Sequence, residues 1–120
     1  MAEIRDIKTI PLDRGGEATH GIMVAVNSDG DGVTLEFVEE LAKKIVLHRL
    51  CSPPDTSALV VTVIGELDTE QFRENWARTL SGSHTFSGPL RFYLQQMSTA
   101  VLVHGKPDGT ILQEVRLGLN

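Results

Sequence analysis

Two short apolar runs, Ile22–Val26 and Ala58–Ile64, flank a stretch with the period of a helix, and this arrangement constrains the fold more than any other feature of the chain. Each run has the length of one strand, and near-continuous hydrophobicity predicts strands covered on both faces. Between them, Leu35, Val38, Leu41, Ala42, Ile45 and Val46 form a broad apolar stripe at helical spacing. Glu36, Glu39, Glu40, Lys43 and Lys44 share the opposite face. Glu39 with Lys43 and Glu40 with Lys44 are four apart, acid first, the favourable orientation for pairing. Ser52-Pro53-Pro54-Asp55 then stops the helix. Strand, helix, strand at these lengths is a βαβ unit, which crosses over right-handedly and makes a parallel pair.

The flanking segments extend this unit. Residues 4–12 mix β-branched and charged positions as a half-exposed strand does, and Asp13–Gly21, centred on Gly15-Gly16, reads as a loop. After the second apolar run, Asp68 is placed to cap a helix, with Gln71 completing a capping box and Leu67 stapling against Phe72. Phe72, Trp76 and Leu80 line one face of that helix, as core or as a subunit contact, and Gly82 is placed to end it. Pro89, Leu90, Tyr93, Leu94 and Met97 suit a further short helix, although Arg91–Met97 also suits a strand. Thr99–His104 and Thr110–Leu119 flank Lys106-Pro107-Asp108-Gly109, a hairpin turn signal, with Ile111, Val115, Leu117 and Leu119 on one face opposite Glu114 and Arg116. The whole reads as ββαβα(α)ββ: one α/β domain over residues 1–120, a two-layer sandwich with a mixed sheet and a C-terminal hairpin.

Bulk properties exclude several functions. At 120 residues the chain holds one core, and 41% apolar with 22% charged residues is globular composition. A net charge of −5 with 11 scattered Lys and Arg residues argues against nucleic-acid binding. The apolar runs are too short to span a bilayer. Met1–Asp6 has neither the basic start nor the apolar core of a signal peptide, and Cys51, the one cysteine, cannot form an internal disulfide. A cytoplasmic location is the expectation.

The densest concentration of ligand-type side chains is Asn27-Ser28-Asp29-Gly30-Asp31-Gly32. Asn27, Asp29 and Asp31 alternate as the oxygen donors of a Ca2+ loop do, with Gly32 at the sharp turn. The twelfth position from Asn27 is Val38, however, and Glu39 arrives one residue late, while the preceding element is a strand. A strand-to-helix turn in which Asp31 caps the helix therefore takes precedence over a cation site. His48 and Cys51, three apart and followed by Ser52, have the types needed for a thiolate nucleophile. A helix C-terminus disfavours a thiolate, which makes Cys51 an inert, partly buried residue. His20, His48, His84 and His104 are too dispersed for zinc. His104 and His84 remain acid–base candidates, and Glu66, after the third strand, joins Asn27, Asp29, Asp31 and His104 as a candidate on the rim of a ligand site.

Over residues 4–65 the chain resembles the opening of the crotonase (enoyl-CoA hydratase/isomerase) family. The matching segments are Met23-Val24-Ala25-Val26-Asn27, Thr34-Leu35-Glu36-Phe37-Val38-Glu39-Glu40-Leu41 and Ala58-Leu59-Val60-Val61-Thr62. The resemblance implies action on a small CoA-linked acyl compound. Yet Gly65-Glu66-Leu67-Asp68 stands where that family has Ala-Gly-Ala-Asp, and its second glycine-rich oxyanion segment has no counterpart, so no catalytic residue carries over. With no nucleophile–base pair, phosphate loop or metal tetrad, the leading expectation is a non-catalytic module that binds a protein partner or forms a homo-oligomer, with the terminal strand as a pairing edge.

Overall fold

The computed structural model describes residues 2–14, 16–29, 33–81, 97 and 99–117. Along these residues run β1 (Glu3–Arg14), β2 (Glu17–Asp29), α1 (Leu35–Leu50), β3 (Thr56–Glu66), α2 (Thr69–Leu80), β4 (Thr99–Gly105) and β5 (Ile111–Arg116). One mixed sheet has the order β1-β2-β3-β4-β5, its three central strands parallel and both outer strands antiparallel to their neighbours. The two parallel crossovers step the same way across the sheet, so right-handed connections put α1 and α2 on one face, where they touch. The expected α/β order and mixed sheet are present. The short helix expected near residues 89–97 lies outside the described residues except for Met97, which is buried in the core.

The core is the interface between that face and the helices. Ile22, Leu59 and Ala100 form one cross-strand row, and Val24, Val61 and Leu102 the next. All are buried beneath Val38, Leu41 and Ile45 of α1 and Phe72 and Trp76 of α2, whose rings stack at 6.4 Å and 12°. Each such large side chain contributes about 1.5–3 kcal/mol by leaving water. The expectation of strands covered on both faces is corrected on the other side. Met23, Ala25, Val60, Thr62, Val101 and Val103 alternate with the core positions and are only half-buried, because both helices lie on the opposite face.

Four local expectations change. Asp13–Gly21 is not a loop: Leu12 pairs with Thr19 and Arg14 with Glu17, and Gly16, at φ +89°, makes the tight turn. Gly21 is strand, and its bare α-carbon leaves room for Leu12, whose Cδ1 would lie 2.7 Å from a Cβ there. The cap of α1 is Thr34, not Asp31. Thr34 is extended (φ −91°, ψ 171°), and its Oγ1 accepts from the Phe37 N–H at 3.1 Å, so the helix begins beyond the reach of an Asp31 cap. Glu39, assigned to the polar face, is buried. Ile111 leaves the face of Val115, because a bulge between His104 and Gly105 pairs it with Gly105 and leaves it 66% exposed.

The cap of α2 and the C-terminal turn form as expected. Asp68 Oδ1 accepts from the Gln71 N–H at 3.2 Å, and half-buried Leu67 packs on the core. Gly109 takes φ +91°, and its N–H donates to the Lys106 carbonyl at 2.9 Å. The Thr110 N–H donates to Asp108 Oδ1, which holds that carboxyl below its ordinary pKa.

Candidate functional site

The carboxyl ends of β2, β3 and β4 form the edge at which parallel α/β sheets hold ligands. The register brings Asn27 beside Ile64, Asp29 beside Glu66 and His104 beside Val63, so four of the five rim candidates converge on this edge. Asp31 lies outside the described residues, as does His84. Strand alternation then separates the four. His104 shares the helix-side row of Val26 and Val63, whereas Asn27 shares the opposite face with Ile64 and Gly105.

Asn27 and Asp29 are strand residues, not loop residues. Two residues apart on a strand, their α-carbons lie about 6.6 Å apart along an extended chain. A calcium loop instead curls so that alternate oxygens meet at one point. Among the described residues, no group of three or more His, Cys, Asp and Glu side chains is arranged to hold a metal ion.

The rim is tied together by groups that the sequence offered as candidates or passed over. His104 Nε2–H donates to the Gly65 carbonyl at 2.6 Å, and Ser28 Oγ–H donates to the Glu66 carbonyl at 2.6 Å. Gly65 makes both possible. At φ +114° it turns the backbone out of the regular strand, and a side chain there would collide with the Ser28 carbonyl. The imidazole thereby links β4 to β3, and the serine links β2 to β3. His104 acts as a donor to backbone.

A second polar cluster lies at the opposite end of the sheet. Ser52 Oγ–H donates to the His48 carbonyl at 2.8 Å, so its oxygen accepts from Thr9 Oγ1–H at 2.6 Å. With the Thr9 proton so engaged, the 2.9 Å contact between Thr9 Oγ1 and His48 requires His48 Nε2 to carry a proton and donate. The chain of donors runs from imidazole to threonine to serine to carbonyl and closes the end of α1 onto β1. In that order His48 cannot accept a proton from either hydroxyl, and neither hydroxyl is activated as a nucleophile. Cys51 is exposed, not partly buried as expected, since it follows the last residue of α1 at the surface. Nearby, His20 Nδ1 lies 2.8 Å from Asp55 Oδ1, and Thr19 Oγ1–H donates to the Asp55 carbonyl at 2.6 Å, fixing the turn before β3 to β2.

Thr9, Ser28, Asp55 and Gly65 are not among the candidate residues that the sequence marks. Thr9 and His48 are 39 residues apart and Ser28 and Glu66 are 38 apart, so no local spacing announces them. Gly65, a glycine at the end of an apolar strand, was the one available signal. Comparison of the chain with models of protein families, with curated proteins and with solved structures found no match.

Proposed function

We propose that this chain is a non-catalytic binding and self-assembly module. The observation that carries the reading is the sheet face that α1 and α2 leave uncovered, where Met23, Ala25, Val60, Val101 and Val103 are apolar yet half-exposed. Such a surface gains about 25 cal/mol for each Å² of apolar area it loses to a partner. The polar candidates support the same reading. His48, His104, Ser28 and Ser52 hold strand and helix ends together through the bonds described above, a role of support and not of reaction. A protein partner or a second copy suits this surface, and a reducing cytoplasm suits a single exposed cysteine.

Sedimentation velocity from micromolar to near-millimolar concentration tests the self-assembly arm, with a mass that rises with concentration as the expected result. A parent protein that stays monomeric throughout, and whose melting temperature rises on adding crotonyl-CoA, belongs instead to the ligand-binding class that the crotonase resemblance implies.

A further inference from the structure

Among the described residues no strand pairs with the outer side of β5, and the orientation of that side follows from one bond. The Leu117 N–H donates to the Ala100 carbonyl at 2.9 Å, and the register pairs Arg116 with Val101 and Val115 with Leu102. Leu117 and Ala100 are therefore a hydrogen-bonded antiparallel pair, and such pairs alternate along the ladder. Val115 and Gln113 direct their backbone groups inward to β4. Glu114 and Arg116 direct theirs out of the sheet, and both side chains are exposed.

We propose that a second copy of this chain pairs antiparallel with β5, with Val115 opposite Val115 of the second copy. This inference rests on the self-assembly reading and adds to it a contact at the sheet edge, distinct from the face that the helices leave open. Only registers that bring outward-facing residues opposite one another can form hydrogen bonds. For Glu114 and Arg116 there are three: Glu114 opposite Glu114, Arg116 opposite Arg116, and Glu114 opposite Arg116. The first two juxtapose like charges. The third makes four backbone hydrogen bonds between the copies and sets two carboxylate–guanidinium pairs side by side. It also brings the two half-buried Val115 side chains together on the helix side of the joined sheet. The assembly closes, since it uses both copies of β5. Among the described strands the edges left over are the two copies of β1, which carry Pro11 and a bulge between Ile4 and Asp6, features that discourage further pairing.

The charge pattern supplies the test. Glu114→Arg alone and Arg116→Glu alone each put like charges at both contacts and should weaken dimerisation about tenfold or more. The two variants mixed should form a heterodimer, because each contact then pairs opposite charges, and the double variant Glu114→Arg/Arg116→Glu should recover the parent's association. Independently, Val115→Cys in a Cys51→Ser background should give a disulfide-linked dimer on mild oxidation. A non-hydrogen-bonded antiparallel pair sets its α-carbons about 4.5 Å apart, within disulfide reach. Gln113→Cys in the same background should stay unlinked, since Gln113 faces Leu117 of the second copy. An associating parent that ignores the charge changes and does not cross-link through position 115 overturns this register while leaving self-assembly standing. A parent that is monomeric at every concentration overturns both.

Discussion

Gly65 shows how one residue without a side chain organises three strand ends. Its φ of +114° is outside the range an L-residue takes easily, and its α-carbon lies against the Ser28 carbonyl. From that position its own carbonyl receives His104, while the next carbonyl receives Ser28. Gly65→Ala meets the backbone strain and the collision together, and both neighbouring hydrogen bonds must lengthen to relieve them. The expected loss is about 2–4 kcal/mol, read as a lower urea midpoint with an unchanged slope. A loss below about 0.5 kcal/mol, the ordinary range for a surface substitution, would contradict the strain argument.

At the scale of elements, α1, β3 and α2 were legible because their signals are local: a helical stripe, an apolar run, and a cap with a partner three residues on. The start of α1 shows the limit of such signals. Asp31 and Thr34 both have capping side chains, and the choice depends on where β2 ends, which pairing with β3 sets by carrying β2 on to Asp29. Thr34→Ala should therefore cost about 1 kcal/mol in thermal or urea unfolding. No measurable loss would remove Thr34 as the cap. The β1–β2 hairpin was illegible for a related reason. Gly21 looks like a loop residue in isolation, yet it pairs with Ile10 inside the hairpin, with Leu12 and Ala58 close to its α-carbon. The rim ties were equally hidden, since they join residues that only the folded sheet makes neighbours. Periodicity did identify the edge of the sheet, but the bulge that turns Ile111 out of line with Val115 left no mark in the pattern.

At the scale of the whole molecule, the sheet divides neighbouring residues of one strand between two environments. Val61 is fully buried under the helices, and Val60, the adjacent residue, is half-exposed on the other face. Both belong to the same apolar run and have the same side chain, so the difference between them is a property of the layers and not of local sequence. Val61→Ala removes buried methyl groups and leaves a cavity, at an expected cost of about 2–3 kcal/mol. Val60→Lys can run its methylenes over the sheet and keep its ammonium in water, for a loss of about 1 kcal/mol or less in a dilute monomer. Pairing through β5 would join the faces that α1 and α2 leave open in two copies into one surface on a sheet continuous through the described strands of both. Association through β5 and binding on that face are then separable. Val60→Lys should leave the concentration dependence of the Val115-centred dimer unchanged and abolish any larger assembly, both measured by sedimentation velocity. If Val60→Lys instead destabilises the dilute monomer as much as Val61→Ala does, Val60 lies in a covered layer, and the uncovered face cannot be the binding surface.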